Sequence, residues 1–335
     1  MANLTTQHMG VALKNPLILG ASNLVTNLDN LKKAEDAGVA AIVYKSLFEE
    51  QMQLEDYQMG NEMEAYDERN AEMINLFPNI EHGGPKEHLF NLRQAKESVS
   101  VPLFASINAV YKESWVDYAK QVEETGVDGL ELNFFSVPRD FSKSCIDISA
   151  HQVEVLKAVK SAVKIPVSVK LSPFYTNVLK TISDFDKAGA DGVVLFNRLF
   201  EPDIDVEAEK HASPWNLSTP GDHRLSIRYI GLLYDNIKAS ISANNGVYEG
   251  TDIVKMILAG ANSVEAVSTF YHNGVNHITA MLKELEEWMD RKGYKEIKDF
   301  QGSLSSKAIN DPFVYKRAQY IDMILKSEEY FNPIV

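Results

Sequence analysis

The sequence predicts an α/β fold, a (β/α)8 TIM barrel, from three observations: eight short β-type runs, amphipathic stretches between them, and a recurring joint where helix passes into strand. In chain order the runs are PLILGA (Pro16 to Ala21), AAIVYK (Ala40 to Lys45), PLFASI (Pro102 to Ile107) and GLELN (Gly129 to Asn133). They continue with VSVKL (Val167 to Leu171), GVVLF (Gly192 to Phe196), ASISA (Ala239 to Ala243) and SVEAV (Ser263 to Val267). Several are apolar on both faces, the pattern of parallel strands buried between layers. KKAEDAGVAAIV, KQVEETGVDGLEL, FDKAGADGVVLF and MILAGANSVEAV carry the joint. Each ends a helix on glycine, which suits the left-handed residue that closes it. Val101-Pro102 and Ile165-Pro166 introduce two further strands, where proline is acceptable. Repeated units of this kind imply parallel strands with right-handed crossovers, and eight of them favour closure over an open sheet.

Two connections are too long to be simple joints. One follows the second strand, from Leu47 to Val101, and includes an expected helix at Lys86 to Ser98. The other follows the sixth strand, from Arg198 to about Asp222, and contains Pro202, Pro214 and Pro220. Both leave the face where barrel enzymes place their active sites, so both are candidate lids, substrate walls or subunit contacts. A C-terminal helical extension is expected near Pro312 to Tyr330, and nothing resembling a linker divides the chain, so residues 1–335 read as one domain.

Composition narrows the function. Apolar residues make up 45% and charged residues 24%, enough to bury a large core under a wet surface. A formal charge of −14 argues against a nucleic-acid surface. Cys145 is the only cysteine, which rules out an intrachain disulfide, a Cys-based zinc site and an in-chain iron–sulfur cluster. The start MANLTTQHMG has neither the basic residues nor the apolar run of a signal peptide, and no apolar run approaches membrane-spanning length. The expectation is a soluble, cytoplasmic protein that binds neither nucleic acid nor membrane.

In a barrel the residues that end each strand carry the function. Here they are Ala21-Ser22-Asn23, Lys45-Ser46, Asn108, Asn133, Lys170, Asn197, Asn244-Asn245-Gly246 and Ser268-Thr269. This ring of amides, hydroxyls and two lysines contains no metal cluster and no Ser-His-Asp arrangement. It suits a flat, polar, anionic cofactor that performs the difficult chemistry while the protein supplies orientation and charge. Singly each residue is also an ordinary strand-end group, a solvated lysine or a turn asparagine.

These residues resemble the soluble class 1 dihydroorotate dehydrogenases, especially their dihydroorotate dehydrogenase-like branch, from about Leu4 to Leu304. NPLILGASN resembles the family's first-strand flavin motif, which implies flavin contacts at Ala21 and Ser22. YKS matches the second-strand Lys-Ser pair, implying that Lys45 and Ser46 touch flavin and that Lys45 also lies close to substrate. ELNFFSVP resembles the ELN loop, VKLSPF places Lys170 at the flavin ring, and LFNR offers Asn197 to substrate or flavin. YKEIKDFQGSL resembles the family's C-terminal stretch. The resemblance implies FMN as cofactor, a homodimer, and oxidation of dihydroorotate or a related small acid in pyrimidine synthesis.

Departures from the family pattern fall at the site. Ser136 stands where the family carries a cysteine base, so the resemblance implies serine as the group that moves the proton, with Lys45 beside it. Phe134 and Phe135 replace smaller neighbours and predict a more apolar pocket. Asn133 is retained for the acid, Arg139 replaces an asparagine, and INLFPN offers Asn75 and Asn79 as equivalents of two others. Gly246 and Ser268 are kept at the phosphate end. Asn245 and Val267 stand where glycines are expected, which predicts weaker backbone contact with phosphate, offset by Arg224 or Arg228. Two alternatives stay open: a Schiff-base lyase using Lys170 or Lys45, and a non-catalytic barrel that binds flavin or nucleotide.

Overall fold

The computed structural model describes residues 2–50, 85–135, 137–138, 140–198 and 201–326. A short antiparallel hairpin comes first, β1 (Thr6–His8) with β2 (Val11–Leu13), turning through Met9 and Gly10, both at positive φ. The barrel follows with β3 (Leu17–Leu19), β4 (Ala41–Val43), the two-residue β5 (Leu47–Phe48) beside β6 (Leu103–Asn108), β7 (Gly129–Asn133), β8 (Val167–Leu171) and β9 (Gly192–Leu195). A second hairpin, β10 (Asp203–Asp205) with β11 (Lys210–Ala212), interrupts before β12 (Ser240–Ala243) and β13 (Ser263–Ala266). All eight expected runs are strands, with ends within two residues of those read from the sequence. Leu19 lies opposite Ile42 of β4 on one side and Ala266 of β13 on the other, so the first and last units meet and the parallel sheet closes.

Alternation along the strands divides the residues by role. Leu103, Ala105 and Ile107, Leu130 and Leu132, and Val167, Val169 and Leu171 point outward into the core beneath the helices. Those helices are α1 (Leu28–Asp36), α2 (Pro85–Ser98), α3 (Lys112–Glu123), α4 (Cys145–Ala162), α5 (Val178–Lys187), α6 (His223–Leu233), α7 (Gly250–Ala259), the short α8 (Ser268–Asn273) and α9 (His277–Lys292). The joint glycines Gly38, Gly126, Gly189 and Gly260 all carry positive φ, as the repeated phrase predicts.

The inward residues are different. At the floor the N-terminal hairpin plugs the barrel: the Met9 N–H donates to Ser240 Oγ at 2.8 Å, and His8 Nδ1 lies 3.2 Å from Ser263 Oγ. A Cβ on Gly192 would lie 2.8 Å from Met9 Cγ, and one on Gly129 3.0 Å from Met9 Cε. These strands therefore begin on glycine because Met9 occupies the space a side chain would need. Above the plug come Ser106, Glu131, Ser168, Lys170, Ser242 and Glu265, all buried, in place of the branched apolar layers usual inside such barrels.

Of the two long connections, residues 51–84 of the first lie outside the described residues, and the expected helix is α2. The second carries the β10–β11 hairpin, which the sequence reading did not anticipate. The tail forms a 3-10 turn at Pro312–Tyr315 and α10 (Ala318–Leu325). The C-terminal motif has a packing reason. Phe300 is fully buried against Trp288 and Tyr294, with ring centroids at 5.0 and 5.2 Å. Gly302, at φ 71°, sits where a Cβ would come within 2.1 Å of the Tyr234 ring.

Candidate functional site

A cavity of about 350 Å³ opens at the carboxyl ends of the strands. Ala21 and Ser22 beyond β3, Lys45 and Ser46 beyond β4, and Asn133 and Lys170 on β7 and β8 line one part of it. Asn197 beyond β9, Asn245 and Gly246 beyond β12, and Ser268 at the start of α8 line the rest. Register explains part of this convergence: Asn133 lies directly opposite Lys170 in the β7–β8 ladder. Two expected contacts do not reach the wall. Asn108 braces the loop after β7, its Nδ2 donating to the carbonyls of Asn133 at 2.7 Å and Phe135 at 2.9 Å. Thr269 is fully buried, its hydroxyl donating to the Tyr248 carbonyl at 3.1 Å. Ser136, Arg139, Asn75 and Asn79 lie outside the described residues.

The two lysines occupy unlike settings. Lys45 is half-buried at the rim, with no ion pair among the described residues. Lys170 is buried, with Nζ 2.9 Å from Glu265 Oε2 and 3.6 Å from Glu131 Oε1. Burial alone would lower its pKa, but the two carboxylates outweigh that and hold the ammonium above the ordinary lysine value. For Glu131 burial dominates: it pushes the carboxyl up to about 8, against the pull of Lys170 and with the help of Glu265. The sequence reading missed both glutamates, although Glu131 belongs to the quoted ELN loop and Glu265 to the eighth run.

Lys170 and Glu265 line the cavity themselves, and a line of polar contacts connects Glu131, behind them, to the wall. Ser106, opposite Glu131 in the β6–β7 register, donates from Oγ to Glu131 Oε1 at 3.1 Å. Its oxygen lies 2.7 Å from Ser46 Oγ, which also receives Asn133 Nδ2 at 3.4 Å. Asn197 Nδ2 then donates to Asn133 Oδ1 at 2.6 Å. The aromatic pair after β7 splits by strand alternation. Phe135 lines the cavity, whereas Phe134 turns into the core against Trp115 and Phe185, so only one of them adds apolar surface to the site.

At the other end Asn245 and Gly246 take successive positive φ values of 73° and 65°. Asparagine tolerates that conformation better than other side-chain-bearing residues, so the turn survives the loss of a glycine. The Asn245 side chain folds back, Nδ2 donating to the Phe196 carbonyl at 2.8 Å. Val267 is accommodated by a glycine across from it: a Cβ on Gly20 would lie 2.8 Å from Val267 Cγ2. Arg224 and Arg228 are exposed and absent from the wall; Arg228 instead reaches Gln319 at 3.0 Å. The arginine that does reach the wall is Arg198, which follows Asn197 directly and was missed. Its guanidinium donates to the Asn216 carbonyl at 3.1 Å, to Asn216 Oδ1 at 2.6 Å and to Asp222 Oδ2 at 3.1 Å. These bonds hold the loop after β9 over the cavity, and Ser218 fastens it again through its N–H to Ser268 Oγ at 3.0 Å.

The lining suits a flat, polar, anionic cofactor. Ser22 Oγ is buried at the wall with no hydrogen-bond partner, so a polar group in the cavity would satisfy it. A larger groove of about 970 Å³ runs outside the barrel beside α4 and α5, but none of the strand-end residues lines it. Among the described residues no group of three or more His, Cys, Asp or Glu could hold a metal ion, and no helix is long and apolar enough to cross a membrane.

Comparison with known proteins gives one consistent result. A family model described as Dihydroorotate dehydrogenase matches residues 3–289. The Dihydroorotate dehydrogenase B (NAD(+)), catalytic subunit, of Thermoplasma acidophilum is 26% identical over 315 residues, covering 90% of this chain and 99% of its own length. The protein of the same description from Methanocella arvoryzae is 30% identical over 311 residues, covering 87% and 95%. The Dihydroorotate dehydrogenase A (fumarate) of Lactobacillus helveticus is 28% identical over 213 residues, covering 61% and 68%.

Proposed function

Because the chain belongs to the dihydroorotate dehydrogenase family, we propose that it is an FMN-dependent oxidoreductase that oxidises dihydroorotate, or a related small acid, to its unsaturated product. The observation that carries this reading is the convergence of Lys45, Ser46, Asn133, Lys170 and Asn197 with Asn245, Gly246 and Ser268 around one cavity. A bound flavin would supply the hydride acceptor. The protein's share is orientation, charge and proton handling. Lys45, at the rim, meets the negative charge of an acid or of a reduced ring edge. The Asn133–Asn197 amide pair, linked at 2.6 Å, offers its remaining hydrogen-bonding groups to the acid. Ser136, next after Phe135 in the sequence, is assigned the proton transfer by its place in the ELN motif. Gly246 and Ser268 hold the phosphate end, with Arg198 adding charge there.

The ion cluster speaks against the Schiff-base alternative at Lys170. A lysine nucleophile must lose its proton, whereas Glu131 and Glu265 hold Lys170 as an ammonium. The homodimer, the cytoplasmic location and the place in pyrimidine synthesis are proposed with the family reading. The cofactor is tested by releasing any chromophore from the purified protein and weighing it. FMN is the expected species. A protein that carries no flavin and fails to take up added FMN would end this reading.

A further inference from the structure

At the floor of the cavity two carboxylates and one ammonium are packed together with almost no solvent: Lys170 and Glu265 belong to the cavity lining, and Glu131 lies behind it. Side-chain exposure is 7% for Lys170, 2% for Glu131 and 0% for Glu265. Fully ionised, the cluster would carry a net negative charge. His8, beneath it, cannot balance that charge, because burial lowers its pKa to about 4 against the attraction of Glu265 and leaves it neutral. Each glutamate also keeps one buried oxygen without a donor, Glu131 Oε2 and Glu265 Oε1. A single proton shared by the two carboxyls answers both problems at once, removing the excess charge and supplying a missing donor.

We propose that Glu131, Lys170 and Glu265 form a proton store inside the barrel, which exchanges protons with the cavity through the hydroxyls of Ser106 and Ser46. The path is continuous. Glu131 Oε1 receives Ser106 Oγ at 3.1 Å, Ser106 Oγ lies 2.7 Å from Ser46 Oγ, and Ser46 is on the cavity wall. Asn133 Nδ2 donates to Ser46 Oγ at 3.4 Å, which leaves the Ser46 proton for Ser106 and aligns both hydroxyls inward. When the store is ionised, a proton arriving at Ser46 Oγ is matched by Ser46 passing its own to Ser106 and Ser106 passing its own to Glu131. One proton moves from cavity to carboxylate, only O–H bonds form and break, and no electrons are transferred. The reverse sequence returns it.

Glu131 is faced by Lys170 from β8, Glu265 from β13 and Ser106 from β6, while His8 of the floor hairpin acts on Glu265. Burial pushes the Glu131 carboxyl up to about 8, close to where a group that exchanges protons near neutrality works best. The use of the store rests on the oxidoreductase reading, since an oxidation that removes a proton and a hydride needs somewhere for the proton to go. Its existence is a property of the chain's own residues.

Infrared spectroscopy of the purified protein tests it directly. The expected result is a buried carboxylic C=O band that titrates away near pH 8 and is lost in Glu131→Gln. Ser106→Ala should keep the band but slow its shift on transfer to heavy water by about tenfold or more. A parent protein without the band, a band unchanged in Glu131→Gln, or an unaltered exchange rate in Ser106→Ala would overturn the proposal. Protein lacking flavin gives the same infrared readout, so failure here is read separately from failure of the flavin assignment.

Discussion

Lys45 and Lys170 stand at the same mouth of the barrel in opposite electrical surroundings, and substitution should separate them. Lys170→Met leaves Glu131 and Glu265 buried without their cation, the situation in which breaking an ion cluster costs about 3–5 kcal/mol. Lys45→Met removes a rim charge with no ion pair among the described residues and should cost under about 1 kcal/mol, while weakening acid binding. Urea denaturation of the two variants measures the difference. Glu131 makes a second prediction. Its carboxyl keeps a proton up to about pH 8 in the folded protein, whereas the unfolded chain releases it near 4.5. This group therefore contributes stability that is full below 4.5 and is lost as pH rises through 8. Over that window Glu131→Gln should lose less stability than the parent, and a parallel loss in both proteins would contradict the assignment.

The loop after β9 is an element held chiefly by Arg198, with Ser218 as a second anchor on Ser268. Arg198 makes three hydrogen bonds to Asn216 and Asp222, and Arg198→Ala should release the loop and weaken FMN binding about tenfold, measured by quenching of flavin fluorescence. Gly246→Ala tests the turn beneath it. Its Cβ would lie 2.4 Å from the backbone nitrogen of His223, with no flexible side chain to yield, and φ is 65°. A loss of about 3 kcal/mol is expected from overpacking and the left-handed conformation together. The barrel strands were legible because runs such as PLIL (Pro16 to Leu19) and GVVLF (Gly192 to Phe196) are apolar and open on proline or glycine, the two signals a buried parallel strand leaves. The hairpins were not. β1–β2 turns through Met9 at φ 52° and β10–β11 ends at Glu209 at φ 51°, so neither shows the Asn-Gly or Asp-Gly signal of a tight turn. Three-residue strands are also too short to establish a period.

Across the whole molecule, what remained illegible depends on closure. Glu131 and Glu265 are far apart in the chain and meet Lys170 only because β13 pairs with β3 and the sheet returns on itself. The floor plug depends on the same closure, and it sets how the molecule responds to acid. His8 is neutral in the folded state, with its pKa lowered to about 4 by burial, while the unfolded chain protonates it near 6.5. Stability should therefore fall as pH drops through that interval, by up to about 3 kcal/mol from this residue, and His8→Leu should flatten the acid limb of a melting-temperature profile. Above the plug and the ion cluster the cavity keeps the strand-end residues that the sequence brought forward, Asn108 and Thr269 apart. The most direct test of what that cavity does is an anaerobic addition of dihydroorotate to the purified, FMN-loaded protein, followed by visible absorption. Bleaching of the flavin band is the expected result. A band that stays oxidised with dihydroorotate and with related small acids would contradict the assigned activity.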